Sequence, residues 1–467
     1  MMPRRLRALA LLVPVLAAAA ALGLPAARAR AVTGRVAVGG PRYSPSPGEW
    51  WLADWQVPQL VWPLSEGAGQ TVAVVDTGVQ ASIPDLRGVV VPGGDMLGDP
   101  GNGETDFDVQ VDGHGTAVAV LIAGQGWGTG TVGIAPQAKI LPVHVDTPGV
   151  AGDTADLAAG IEFAASHGAT VINVSLGPAA PSATSCDAVL QDAVAFALEH
   201  GAVVVAAAGD VNVSGSGPVE PASCAGVLAV GGVQPNGSLW PDTVQQPYVS
   251  VAAPADHMIY VGRDGRYWTT AAGTSAAAPL VAGVAALIRS RYPSMPWYQV
   301  DQRLTATAIP AGSPVPNDGY GFGILDPARA VNAAGYPVSA SAPDPVLQKF
   351  DAWLASPAGK AWTGASAGPA TLAGTAPAAA ASRPAPAAPA APSAPASPQR
   401  TVAVPVGTAA YRRSLSDSAG VPFSKPAIVT ALRVLAALVV VNLVVAGVLG
   451  ARSRGRSRGR HTRHAAH

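Results

Sequence analysis

Apolar residues in this chain fall into two kinds of run. Thr71–Asp76, Val171–Ser175 and Ala202–Ala208 are short and apolar on both faces, which predicts strands buried on both sides. Between them, Asp156–His167 spaces Leu157, Ile161, Ala164 and Ala165 at helical intervals, and Gly168 suits the helix stop. Ala188–His200 has the same helical character and ends at Gly201. A longer apolar helix is expected from Ser275 to Arg291. Strands of this kind alternating with helices predict a parallel sheet with helices on both faces, an α/β domain over residues 71–335.

The pattern changes on either side of that domain. Met1–Arg7 carries three arginines, Ala8–Pro25 is apolar, and small-x-small patterns follow at Ala27–Ala29 and Ala29–Ala31. This layout predicts a secretory signal over residues 1–31, with an uncleaved anchor as the alternative. Residues 32–70 form an extension whose Trp50, Trp51, Trp55 and Trp62 are expected to dock on the domain. Past residue 335 a linker runs to 425; Leu347, Phe350, Trp353 and Leu354 suggest a short docking helix within it. In its 376–399 stretch 19 of 24 residues are Ala or Pro, the composition of an extended spacer. Residues 426–450 then predict one membrane-crossing helix, since Val434–Gly450 carries no charge and Arg433 can snorkel. The 451–467 tail has six arginines and no acid, which places it in the cytoplasm and everything before the helix outside.

Charge and composition narrow the function. Lys+Arg and Asp+Glu are equal at 29 each, so no basic excess exists to neutralise nucleic-acid phosphates. A hydrophobic content of 49% excludes a wholly disordered chain. The two cysteines, Cys186 and Cys224, can pair in an exported protein, stabilising it by about 4 kcal/mol; buried thiols are the alternative. Two thiolates are too few for a structural zinc site.

Three segments carry chemistry together. VAVVDTGV (Val72–Val79) sets Asp76 at the carboxyl end of a buried strand, where α/β sites form. DGHGTAVA (Asp112–Ala119) brackets His114 with glycines ahead of a helical run. GTSAAAP (Gly273–Pro279) puts Ser275 at the head of the long apolar helix. A serine hydroxyl becomes nucleophilic when an imidazole takes its proton, and a buried carboxylate holds that imidazole in the right tautomer. Each segment alone has a plain structural reading, such as a strand-ending turn or an N-cap. Their order Asp–His–Ser on an α/β chain points to a catalytic triad. His144, His167, His200 and His257 lack such a context and are expected to be structural or surface residues, and His461, His464 and His467 lie in the tail.

These motifs resemble those of the subtilisin-family serine proteases. The exported topology, the C-terminal anchor and the Trp/Pro-rich extension resemble the mycosins, the membrane-anchored proteases of type VII secretion. GIAPQAKI (Gly133–Ile140) and VINVSLG (Val171–Gly177) extend the resemblance over roughly residues 50–335. It implies a serine endopeptidase in which Ser175, Leu176 and Gly177 line the cleft and pair with an extended peptide. It also implies exported protein substrates, a type VII membrane complex as partner, and no cofactor. The alternative is a catalytically impaired scaffold subunit of that complex.

One departure bears on activity. Where the family carries Ala-Gly-Asn, this chain reads VVVAAAGD (Val203–Asp210). The family's Asn amide and the Ser275 N–H together hold the oxyanion; an ionised Asp210 can only accept a hydrogen bond and would repel it. Asp210 can instead be protonated and donate, giving activity that is weakened or shifted to lower pH. Asn212 could replace it after a local shift, or catalysis could be dispensable. An acidic stretch from Asp95 to Asp112 suggests calcium, but its spacing is not that of an EF-hand loop, and a solvated loop with no metal is the expectation.

Overall fold

Strand β1 (Thr71–Asp76) is buried at every position after Thr71 and lies inside a seven-stranded parallel sheet. A computed structural model describes residues 43–146, 154–339 and 341–364. Its remaining sheet strands are β2 (Gly94–Asp95), β3 (Lys139–His144), β4 (Val171–Val174), β5 (Val203–Ala207), β6 (Leu228–Val233) and β7 (Val249–Pro254). They run in the order β2-β3-β1-β4-β5-β6-β7. The register pairs Val75 with Val174 and Val174 with Ala206, so β1, β4 and β5 end side by side. Asp76, the 175–177 segment and the 208–210 segment therefore leave the sheet along one edge.

The main helices are α1 (Trp50–Asp54), α2 (His114–Ala123), α3 (Thr154–Ser166), α4 (Ala188–Glu199), α5 (Val211–Ser214), α6 (Thr274–Arg291), α7 (Trp297–Ala306), α8 (Pro327–Val331) and α9 (Pro345–Ala355). α3 packs on α4, while α6 packs on α2 and crosses β4, β5, β6 and β7. Every residue of α6 from Ala277 to Ile288 is buried, as the all-apolar pattern requires. The expected strands and helices between Thr71 and Arg291 match the observed ones to within two residues. An antiparallel hairpin of β8 (Met258–Val261) and β9 (Tyr267–Ala271) leads into α6.

The core extends on both sides of the 71–335 span. Upstream, Trp51, Leu52, Val57, Val61 and Trp62 are buried in it. Trp62 Nε1 donates to the Ile134 carbonyl at 2.9 Å, and Trp50 Nε1 to that of Asp256 at 3.2 Å. Glu49 is fully buried and accepts from the backbone N–H of Val132 at 2.7 Å and of Ser46 at 2.6 Å. Burial pushes its carboxyl up to about 7 against the pull of those donors. Downstream, the expected docking helix is α9, whose buried Phe350 meets Trp297 of α7 edge-on at 5.8 Å.

Cys186 and Cys224 form a disulfide that closes a 38-residue separation. By loop-closure entropy this is worth about 4 kcal/mol. Among the described residues no helix is long and apolar enough to cross a membrane. The signal segment 1–31, the Pro/Ala-rich 376–399 stretch, the membrane helix 426–450 and the 451–467 tail lie outside the described residues.

Candidate active site

Asp76, His114 and Ser275 arrive at the sheet edge from three elements. Asp76 ends β1, is fully buried, and its Oδ1 accepts from the Thr77 N–H at 2.9 Å and faces His114 Nδ1 at 2.7 Å. His114 opens α2, where Gly113 takes a left-handed φ of 104° that turns the chain into the helix. The close approach of α2 to β1 needs Gly115, because a Cβ there would sit 2.1 Å from the Gly78 oxygen. Burial disfavours charge on the His114 imidazole, but the carboxylates of Asp76, Asp106 and Asp108 outweigh it and raise the group to about 9. Ser275 is the second residue of α6, so its N–H is one of the unpaired donors at the positive end of that helix.

The Ser275 main chain is held from outside its helix. Pro279, four residues on, has no N–H to give the Ser275 carbonyl. Ser175 Oγ donates to that carbonyl instead, at 3.0 Å, and is itself held by Asn173 Nδ2 at 2.9 Å. Among the described residues no hydrogen bond links Ser275 Oγ to His114; in ligand-free sites this contact is commonly long.

Asp210 stands opposite Ser275. Its Oδ1 accepts from the Thr274 N–H at 2.9 Å and the Thr274 hydroxyl at 2.6 Å. A Cβ on Gly273 would lie 2.9 Å from both Asp210 Oδ2 and Ser275 Oγ, so the missing side chain leaves room between them. Burial raises the Asp210 carboxyl, while the Thr274 donors and the nearby His114 pull it down. Asn212 is exposed in α5 and does not line the cleft.

His114, Asp210, Thr274 and Ser275 line one cleft of about 960 Å³ together with Ser175, Leu176 and Gly177, while Asp76 lies buried behind His114. Gly177 has no room for a side chain, since a Cβ would meet the Glu220 oxygen at 1.8 Å.

A buried Asp–His pair and a helix-head serine in one cleft, at the carboxyl edge of a parallel sheet, agree with what the comparisons find. The model of the subtilase family, Peptidase S8, matches residues 67–323. The chain belongs to the subtilase family. It is a subtilisin-like serine peptidase related to the mycosins. Thermitase of Thermoactinomyces vulgaris is 39% identical over 240 residues, covering 50% of this chain and 80% of thermitase. Mycosin-3 of Mycobacterium tuberculosis is 34% identical over 325 residues, 58% of this chain and 69% of its own length. Among solved structures, the MycP3 protease from the type VII (ESX-3) secretion system superposes with a TM-score of 0.54 at 33% identity. That alignment covers 62% of this chain and 90% of that one.

In this subtilase the acidic stretch is only in part the solvated loop expected of it: Asp99 is exposed, and Asp95, Glu104 and Asp112 are half-buried. Asp106 and Asp108 are buried and build the shell under His114. Asp106 accepts from Thr77 Oγ1 at 2.9 Å, Thr116 N at 2.8 Å and the Asp108 N–H at 3.0 Å. Asp108 accepts from the N–H groups of Gln110 at 2.8 Å and His114 at 3.1 Å. Backbone and hydroxyl donors make this burial tolerable, and no motif spacing announces them, so sequence reasoning missed both residues. It also passed over Thr274, although that residue sits inside the GTSAAAP motif.

Among the described residues, the remaining histidines are structural or exposed. His144 is buried in β3, in register with Asp76, and its Nδ1 meets Asp95 Oδ2 at 2.6 Å. Asp95, Asp99 and His144 bring potential metal-ligand atoms within 4.8 Å of one another. His144 is already committed to Asp95 and to the Asp146 carbonyl at 3.1 Å, and Asp95 Oδ1 accepts from the N–H groups of Leu97 and Asp99. His167 stacks on Phe163, His200 lies tilted against Phe196, and the side chain of His257 is exposed.

Proposed function

We propose that this subtilase is a membrane-tethered, extracytoplasmic serine endopeptidase whose triad is Asp76, His114 and Ser275. The observation that carries the reading is the 2.7 Å Asp76–His114 contact, in one cleft with a serine at a helix head. His114 Nε2 takes the Ser275 hydroxyl proton as Oγ bonds to the peptide carbonyl carbon, and Asp76 holds the opposite ring nitrogen. The proton passes to the leaving amine as the C–N bond breaks, and water then resolves the acyl-enzyme by the same route. The Ser275 N–H and Asp210 hold the oxyanion, Asp210 as a neutral acid that donates from Oδ2. Ser175, Leu176 and Gly177 pair with the extended substrate, although the Ser175 side chain is occupied by Ser275.

Similarity to mycosin-3 and to the MycP3 protease supports an exported protein of a type VII system as substrate and its membrane complex as partner. The predicted anchor at 426–450 supports a single-pass protein with the peptidase outside and the tail in the cytoplasm. In the test, full-length protein is treated with a fluorophosphonate probe and the adduct is mapped. Labelling at Ser275, lost in Ser275→Ala and His114→Ala, is expected. A second reading, a scaffold subunit without turnover, is favoured by one observation: a carboxylate where the oxyanion must form. Absence of wild-type labelling at every pH supports that reading and overturns the first.

A further inference from the structure

We propose that Thr274 is a positioning residue that assigns the Asp210 proton to the oxygen facing Ser275. The inference rests on the reading of Asp210 as a neutral donor and goes a step further, to how that donor is oriented. A carboxylic acid differs from the amide of Asn in one respect that matters here. The amide's donor end is fixed by covalent structure, whereas an acid can carry its proton on either oxygen. A proton on Oδ1 would point away from the oxyanion and be useless to it.

The hydrogen bonds around Thr274 break that symmetry. Its hydroxyl oxygen accepts from the Gly209 N–H at 3.1 Å and donates to Asp210 Oδ1 at 2.6 Å. Its backbone N–H donates to the same Oδ1 at 2.9 Å. Oδ1 thus receives two donors, the environment of a carbonyl oxygen, since an acid's carbonyl oxygen accepts better than its hydroxyl. Oδ2 is left beside the gap that Gly273 opens toward Ser275 Oγ. The proton that remains on the acid therefore sits on Oδ2.

The same bonds have a measurable side effect. Donors to a carboxylate favour its ionised form, so Thr274 opposes the burial that keeps Asp210 protonated. The charged neighbours that also bear on Asp210 are His114 and Asp242. Removing the Thr274 hydroxyl should move the Asp210 titration upward by about one to two pH units, the size of one hydrogen bond to a charged group.

The experiment compares fluorophosphonate inactivation rates of full-length protein with Asp210 and with Asp210→Asn, in the wild-type, Thr274→Val and Thr274→Ser backgrounds, from pH 5 to 10. Within each background the ratio of the Asn form to the Asp form cancels general damage and begins to climb where Asp210 ionises, since an ionised Asp210 both ceases to donate and raises its neighbour His114. The ratio should begin to climb at one pH in wild type and Thr274→Ser, and at a pH one to two units higher in Thr274→Val. If Thr274→Val leaves that pH unchanged while wild type shows a climb, the role of Thr274 is overturned and the neutral-acid reading stands. If wild type shows no climb, that reading fails first and the inference falls with it. Thermal melting of each variant confirms that the compared forms are folded.

Discussion

The Ser175 hydroxyl donates to the main-chain oxygen of Ser275 at 3.0 Å, a bond that exists because Pro279 cannot supply the usual helical donor. The strand that leads to the substrate segment thereby fixes the head of the helix that carries the serine. Ser175→Ala should cost about 1 kcal/mol of stability. Its larger effect should fall on kcat, with KM little changed, because the nucleophile's backbone and not the substrate loses a partner. Steady-state kinetics on a peptide substrate check the split.

Asp76 holds His114 through Nδ1, so Asp76→Asn should lower kcat by about 10⁴-fold while the melting temperature stays close to wild type. The loss follows from the wrong imidazole tautomer and from the missing charge that raises His114 to about 9. Asp106→Asn keeps the tautomer but removes one of the supporting charges, so the acid limb of the pH–rate profile should move to lower pH. An unchanged limb contradicts the electrostatic role given to the buried acidic shell.

Much of the sheet was legible because β5 is a continuous apolar run, β1 is apolar between Thr71 and Asp76, and β4 is broken only by Asn173, the composition expected of strands buried on both faces. The candidate triad was legible because each of Asp76, His114 and Ser275 sits in a short local motif. Residues 50–62 were expected to dock but not to enter the core: Trp62 finds its partner at Ile134 and Glu49 finds Val132, contacts spanning 72 and 83 residues. The burial of Asp106 and Asp108 was hidden for the same reason, since their donors Thr77, Thr116 and His114 come together only in the fold. An acid-rich segment reads as solvated until its donors are known.

Glu49 gives the fold a pH dependence with a definite sign. Its carboxyl rises from 4.5 to about 7, and that of Asp85 beside it from 3.8 to about 6, both through burial. The folded state keeps protons that the unfolded chain has already released. This contribution is whole below about pH 4, is lost as pH rises through the window up to about 7, and is constant above it. Glu49→Gln should flatten the fall in melting temperature between pH 5 and pH 8. An identical slope in wild type and variant contradicts the assignment.

The disulfide ties the start of α4 to the segment after Glu220, and Val219 of that region lines the cleft. Cys186→Ser with Cys224→Ser should cost about 4 kcal/mol by loop-closure entropy. Denaturant unfolding measures it, and KM should rise more than kcat falls, since the triad residues lie on other elements.

Asp210 is proposed to act as a protonated donor in the oxyanion site. The direct test follows the rate of fluorophosphonate inactivation for wild type and Asp210→Asn from pH 5 to 10. His114 must be neutral in both proteins, and its titration cancels in the ratio of their rates while Asp210 is protonated; once Asp210 ionises it also raises His114 in wild type alone, which adds to the climb of the ratio. A protonated donor at Asp210 gives a ratio, variant to wild type, that is flat at low pH. Above the Asp210 titration it should climb about tenfold per pH unit, as the donor is lost from wild type alone. A ratio that stays constant across the whole range contradicts it.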